Sequence, residues 1–331
     1  MAISVPPGDS RRRIQPLDAL ASPRFTQVAT FARLPHDRSL ADVDAAFLGI
    51  PFDDAATYRS GARFGPSAIR EQSRLLRPYN MSVDIYPFEV FNVVDYGDVN
   101  VVPGSFEATA EAVEQELDTL LAARVLPLVA GGDHSVALPM LRSLTKAHGR
   151  PVHLVHFDSH FDFWDSYWGQ RYTHGTWLRR AWEEKLLGHV LQVGIRGPQF
   201  TKDDFQYAKE NKFHVLPMRK LEHNPATLVA RALDRIPTAE PLYLSWDIDV
   251  VDPAFAMGTG TPEVGGLTSR EALHCLDTLV GHNLVGAEVV EVAPLYDGPG
   301  AITALLAANL LYEALSVMAK NRERGIPAFG S

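Results

Sequence analysis

The sequence predicts an α/β fold: a single doubly wound domain whose eight-stranded parallel sheet is flanked by helices. Three observations predict it. Eight short β-rich runs recur along the chain: AAFLGI (45–50), FNVVDYG (91–97), VLPLVAGG (125–132), VHLVHFD (152–158), HVLQVGIR (189–196), FHVLP (213–217), LYLSWDID (242–249) and VGAEVVEV (285–292). Stretches with apolar residues at helical spacing lie between them, and near-continuous apolar strands alternating with helices imply a parallel sheet covered on both faces. No Pro/Gly/Ser-rich linker, internal repeat or low-complexity tract divides the chain, so one domain is expected.

The helical stretches carry their own start signals. SFEATAEAVEQELDTLLAAR opens on Ser105, has Glu107 in its first turn and keeps an apolar stripe. ITALLAANLLYEALSVMAK closes the chain in the same way. REALHCLDTL reads as an amphipathic helix that buries Cys275, the single cysteine, as an inert thiol with no disulfide partner. Residues 1–40 are expected to form an N-terminal arm, partly irregular. Within it SVPPGDS is expected to be mobile and the rest to pack on the body or on a neighbouring subunit. Residues 41–331 form the body.

Composition narrows the classes. The chain has 331 residues, is 46% hydrophobic and contains no apolar run long enough to span a bilayer. A formal net charge of −9 argues against a nucleic-acid or anionic-membrane partner and is compatible with a cationic substrate. The opening MAISVPPGDSRRRIQPL has three arginines but no apolar segment after them, so a cytoplasmic location is expected.

In such a sheet the ligand site lies beyond the carboxyl ends of the strands. Four of those ends carry chemistry. LVAGGDHS ends in Asp133 and His134, VHFDSHFD in Asp158, His160 and Asp162, LSWDIDVVDP in Asp247, Asp249 and Asp252, and VVEVAP in Glu291. Taken singly, each has an ordinary reading. Asp133 braces a glycine turn, His134 caps a helix, and Asp252 before Pro253 makes a turn. Together, Asp158, His160, Asp162, Asp247 and Asp249 crowd five ionisable groups at two strand ends. Carboxylates gathered in this way repel and protonate unless a cation joins them. With His134 the set is two imidazoles and four carboxylates, more than one tetrahedral ion needs. It suits two divalent ions of octahedral preference, such as manganese or nickel, with bridging aspartates. No cysteine is available for a structural zinc site.

These residues carry a family resemblance. GGDHS, DSHFD and SWDIDVVDPAFAMGTGTPEVGGLT look like the three signature blocks of the ureohydrolase superfamily, which includes arginases, agmatinases and guanidinobutyrases. YRSGARFGPSAIREQSRLLRPYN and NLLYEAL also resemble the agmatinase and guanidinobutyrase branch. The resemblance implies an arginase-like fold, a dinuclear metal centre that is usually manganese, and hydrolysis of a guanidino compound to urea and an amine. It also implies a homo-oligomer, trimeric or hexameric. Carried over by motif, His134, Asp158, Asp162 and Asp247 would hold one ion. His160, Asp158, Asp247 and Asp249 would hold the other. Glu291 matches the position that holds the substrate's positive charge. His174, in YTHGTW on the loop expected to cover the metals, matches the catalytic histidine and suits proton delivery to the leaving amine. Glu288, three residues before Glu291, is expected on the opposite side of its strand and without a role.

Departures from the family pattern bear on substrate. Ser159 stands where Ala is usual, Trp246 where Phe is usual, and Trp177 where Pro commonly follows HGT. Trp164, Trp168, Trp177 and Trp182 cluster around the expected lid, with Phe161, Phe163 and Tyr167 among them. They could pack the lid on the body, or they could form an aromatic wall facing a small or alkylated cation. In the second case Trp177 would sit at the pocket mouth. Arg171 could receive a distal carboxylate. Agmatine and 4-guanidinobutyrate follow from the overall resemblance. Free guanidine, or an alkylated guanidine or biguanide such as metformin, with nickel as the ion, follows from the aromatic lid. Two other classes remain: a deacetylase-like single-metal amidohydrolase, and a non-catalytic subunit in a hetero-oligomer with a related chain. The extra Asp249 opposes the first. The intact ligands with His174 and Glu291 oppose the second.

Overall fold

The structure is a computed structural model, and it describes residues 13–331 except 222, 327, 330 and 331. The expected mobile stretch SVPPGDS lies outside the described residues. All eight expected strands form: β1 (Ala45–Gly49), β2 (Val93–Asp98), β3 (Leu126–Ala130), β4 (Val152–Phe157), β5 (Leu187–Val193), β6 (His214–Leu216), β7 (Leu242–Asp247) and β8 (Leu284–Val290). They make one sheet in the order β2-β1-β3-β8-β7-β4-β5-β6, parallel throughout. Five of the eight are buried along their whole length, as a sheet covered on both faces requires.

The helices are α1 (Gly65–Ser73), α2 (Pro87–Val90), α3 (Phe106–Ala122), α4 (Ala137–His148), α5 (Trp177–Glu183), α6 (Asp203–Glu210), α7 (Pro225–Leu233), α8 (Ser269–Asp277) and α9 (Ile302–Glu323). Local chemistry sets their ends. The Ser105 side chain accepts a hydrogen bond from the Ala108 N–H and starts α3. Thr268 and Glu271 form a reciprocal capping box that starts α8. Gly149, at φ 66°, ends α4 in the left-handed conformation that favours glycine. Two cores follow from the two faces. Leu117, Leu141 and Leu178 from α3, α4 and α5 fill one, and Leu276, Leu311 and Leu315 from α8 and α9 fill the other. By length and composition α9 could cross a membrane, but 83% of its apolar window is buried inside the protein, where it acts as a core helix. Cys275 lies in the same core, and burial pushes its thiol up to about 12.

Residues 13–40 contain only one short 3₁₀ turn and run across the body. The Ile14 N–H donates to Asn92 Oδ1 at 3.0 Å, and Phe31 stacks on Phe47 of β1 with ring centroids 4.5 Å apart.

The strand order places the site. β3 and β4 follow each other in sequence, yet β8 and β7 lie between them in the sheet. The chain changes its direction of growth there, and a doubly wound sheet opens a crevice at such a switch point. The carboxyl ends of β3, β8, β7 and β4 are therefore adjacent, and these are the four ends that carry the acidic and histidine motifs.

The turn after β3 is tightly fitted. A Cβ added at Gly132 would land on the backbone carbonyl of Phe52, the group that accepts the Asp133 N–H at 2.8 Å. Backbone cannot yield as a flexible side chain can. Gly132→Ala is expected to lower the unfolding free energy by about 1–3 kcal/mol, the usual range for overpacking, measured by urea denaturation.

Candidate metal centre

β4 delivers the first ligands. His156 and Asp158 are two residues apart and share one side of the strand. The chain then turns, and Asp162 takes a left-handed backbone conformation, φ 57°, that aims its carboxylate back at the strand end. From β3, His134 enters with its Nδ1 3.1 Å from Asp158 Oδ2, 3.2 Å from Asp162 Oδ2 and 3.1 Å from Asp247 Oδ2. From β7, Asp247 ends the strand and caps a single 3₁₀ turn by accepting the Asp249 N–H at 2.8 Å. That turn brings Asp249 to the same rim, where its Oδ2 lies 2.9 Å from His160 Nδ1.

Two groups of donors result, each compact enough to hold one ion. The first contains His134, His156, Asp158 and Asp162, and the second Asp158, His160 and Asp249. Asp158 belongs to both. Its Oδ2 faces His134, while its Oδ1 accepts the His160 N–H at 2.5 Å and lies 3.4 Å from His160 Nδ1. One oxygen on each side is the geometry of a bridging carboxylate. Five of the six expected ligands fall in these groups, His134, Asp158, His160, Asp162 and Asp249; Asp247 belongs to neither but lies 3.1 Å from His134 Nδ1.

The electrostatics explain why a cation fits. Burial pushes Asp247 well above the usual carboxylate range, and Asp249 and Asp158 beside it add to the shift. Burial acts the same way on Asp158, but His156, His134 and His160 around it outweigh that and hold it well below the range. Burial would lower His134, yet hydrogen bonds to Asp158, Asp162 and Asp247 raise it well above an ordinary histidine. The cluster therefore holds more negative charge than its imidazoles balance, and a cation would relieve it. The buried Asp249 Oδ2 has only the His160 imidazole beside it and makes no well-aligned hydrogen bond. A buried, oxygen-rich donor set of this kind fits divalent ions.

Residues behind the ligands orient them. His134 turns Nδ1 to the carboxylates, so its Nε2–H donates to Ser245 Oγ at 2.7 Å, and the Ser245 hydroxyl donates to Glu288 Oε1 at 2.8 Å. Sequence reasoning gave Glu288 no role, and the structure corrects this. Ser245 and Glu288 are paired across β7 and β8, and the alternation argument failed because Glu291, at φ 61°, lies past the strand end and is turned out of step. His156 was missed as well. It looks like one more residue of an apolar run, but its parity with Asp158 was the available signal. Gln192 Nε2 donates to its Nδ1 at 3.2 Å, so its Nε2–H donates to Asp158 Oδ2 at 2.8 Å. Ser159, where the family has Ala, donates both its N–H and its hydroxyl to Asp249 Oδ1, at 3.1 and 2.8 Å.

Beside the ligands sits a second pair. His174 Nδ1 lies 2.8 Å from Glu291 Oε1, and both residues are buried. The same oxygen accepts the His134 N–H at 2.9 Å. On its other side, His174 Nε2 lies 3.1 Å from the Thr57 backbone nitrogen and 2.6 Å from the Thr57 hydroxyl, which can accept from it. Burial would lower His174, but Glu291 next to it brings it up to about 9. Thr57 could not have been read from the sequence, since it comes from the loop after β1. Asp133 does brace the turn, accepting from Ser135 and from the Ala55 N–H.

The structure places the aromatic residues and Arg171 as follows. Trp177 is not at a pocket mouth. It opens α5 at 1% exposure, beneath the ligands, because the helix begins there and turns its ring inward. Arg171 points to the surface, with its side chain 62% exposed and 3.3 Å from Glu183. Trp246 is a core residue stacked on Phe157. Phe161 and Phe163 pack against Phe205, Tyr207 and Phe213 of the body. They do not form a wall toward substrate.

Asp158→Asn keeps the size but removes the charge shared by both groups. Both metals are expected to be lost together, read as metal content per chain by elemental analysis. Full occupancy in the variant would show that Asp158 does not bridge. Ser245→Ala removes the hydrogen bond that selects the His134 tautomer, and metal affinity is expected to fall roughly 10–100-fold, measured by titration of the stripped protein.

The Arginase family model matches residues 43–316. The guanidinobutyrase of Pseudomonas aeruginosa is 44% identical over 92% of this chain and 96% of its own length, and the guanidinopropionase of the same organism is 42% identical over 94% and 98%. Among solved structures, the proclavaminate amidino hydrolase of Streptomyces clavuligerus superimposes with a TM-score of 0.85 at 39% identity, covering 91% of this chain and all of that one. With this fold, this order of motifs and this extent of similarity, the chain belongs to the arginase family.

Proposed function

We propose that this chain is an amidinohydrolase that cleaves a C–N bond of a guanidino compound, releasing urea and an amine. The observation that carries the proposal is the placement of the His174–Glu291 pair directly beside two donor groups that share Asp158. An array of metal ligands alone would fit many hydrolases. A buried carboxylate next to it gives a guanidinium its counter-charge, and a histidine within hydrogen-bond reach of that carboxylate can move a proton. The relatives named guanidinobutyrase and guanidinopropionase support the same reading.

His134, Asp158, Asp162 and Asp247 would hold one divalent ion, and His160, Asp158, Asp247 and Asp249 the other. Such ions, when bound, would supply a water of lowered pKa and so a nucleophile near neutral pH. The remaining work falls to the chain. Glu291 receives the guanidinium and fixes its orientation. A substrate cation on Glu291 weakens the pull that keeps His174 protonated, which frees the His174 proton for the leaving amine. Thr57 holds the imidazole in line through Nε2. The oxygen-rich ligand set favours manganese, with nickel as the alternative.

For the substrate tail we propose an ω-guanidino compound such as 4-guanidinobutyrate or agmatine. Free guanidine, metformin and other alkylated guanidines were suggested by an aromatic wall at the pocket mouth. With Trp177 beneath the ligands, that suggestion loses its main support. Arg171, paired with Glu183 at the surface, adds no support for a distal carboxylate. Exposed aromatic residues next to the lid, Trp168 at 76% and Phe200 at 75%, support a homo-oligomeric assembly.

The test is urea release from 4-guanidinobutyrate, 3-guanidinopropionate, agmatine, guanidine and metformin, after loading with manganese or nickel. Fastest turnover is expected on one of the first three. Turnover confined to guanidine or metformin would overturn the tail assignment, and no urea from any would overturn the reaction. His174→Ala is expected to lower kcat on the order of 10²-fold or more with metal content unchanged. An unchanged kcat would remove His174 from the mechanism.

A further inference from the structure

We infer that Trp177 is a positioning residue that presets His134 and Asp162 for the ion of the first donor group. The inference rests on the metal-centre reading above and assigns to this residue a task that a core tryptophan does not have.

Three contacts converge on it. Its indole ring stacks on the His134 imidazole, with centroids 4.8 Å apart and planes at 29°. It meets His156 edge-on at 5.2 Å and 80°. Its Nε1–H donates to Asp162 Oδ2 at 2.7 Å, the same oxygen that lies 3.2 Å from His134 Nδ1. Trp177 therefore touches His134 and Asp162 directly, along with His156, which orients the shared Asp158.

The backbone adds a fourth restraint. Asp162 holds a positive φ of 57°, a conformation that a residue with a Cβ rarely keeps unaided. The next residue of α5, Leu178, donates its N–H to the Asp162 carbonyl at 3.1 Å. The first turn of α5 thus grips Asp162 at both ends, side chain through Trp177 and main chain through Leu178.

The choice of donor matters. An arginine or lysine at this place would neutralise Asp162 and compete with a cation. Indole is donor-only and uncharged, so it fixes the carboxylate and leaves its negative charge for the ion. The ring face fixes the tilt of His134 while Ser245 fixes its tautomer. Groups that orient ligands in this way typically change metal affinity 10–100-fold. The two ligands that Trp177 touches directly, His134 and Asp162, belong to the first donor group alone, so the larger effect should fall on one of the two ions.

The experiment compares metal-stripped wild type with Trp177→Phe, which keeps a stacking ring and loses the N–H. Mn²⁺ is titrated into each, and free Mn²⁺ is counted by electron paramagnetic resonance. The melting temperature of each stripped protein is taken alongside. The expected result is one Kd raised about 10–100-fold, the other within a few-fold of wild type, and a melting temperature close to wild type. Equal Kd values in the two proteins, or an equal loss at both sites, would overturn the inference. If wild type itself bound no metal, the metal-centre reading would fail instead. Should Trp177→Phe not fold, wild type labelled with ¹⁵N-indole and titrated with diamagnetic Zn²⁺ decides the matter. One solvent-protected indole N–H signal moving with occupancy of a single site supports the assignment, and no responding signal refutes it.

Discussion

Four aspartates converge at the carboxyl ends of β4 and β7, nearly all out of reach of water, and the rest of the site depends on how that charge is held. A sheet could bury those strand ends with apolar residues at no electrostatic cost. This chain instead buries Asp158, Asp162, Asp247 and Asp249 within contact distance of His134 and His160. Buried like charges are tolerated only when something of opposite sign stands among them. Divalent cations would meet that need, and the surrounding hydrogen bonds read as a scaffold that aims the donors at them: Ser245 and Glu288 behind His134, His156 behind Asp158, Ser159 beside Asp249.

The same constraint accounts for the topology. Ligands from three strands must meet within a few ångströms although they lie between residues 134 and 249. Strand order solves this by inserting β8 and β7 between β3 and β4. Glu291 then arrives from β8 at the same rim, and its left-handed turn carries it toward His174 and the His134 N–H. Most ligands are thus held at or just past the ends of rigid strands, while His174, from the loop before α5, and Thr57, from the loop after β1, hold each other.

Much of this was legible in the sequence because parallel strands and metal ligands both leave dense local patterns. Most of the eight strands are apolar runs, and the ligands sit in three short motifs. Errors arose where the deciding geometry is not local. β5 begins at Leu187, earlier than the run HVLQVGIR suggested, because Gly188 and His189 at its start are not fully buried. Glu288 was set aside by counting alternation through a backbone turn that breaks it. His156 was hidden by apolar neighbours. Trp177 was placed near substrate because it follows His174 closely, but α5 starts there and carries the ring under the ligands. No sequence spacing marks a helix start that reverses the direction of a side chain within three residues.

The central claim is that the carboxylate crowd exists to hold two divalent ions per chain, with Asp158 between them. Calorimetric titration of the metal-stripped wild-type chain with Mn²⁺ at pH 7.5 tests it most directly. The account predicts two ions bound per chain. Saturation at a single ion, or no binding, would contradict it.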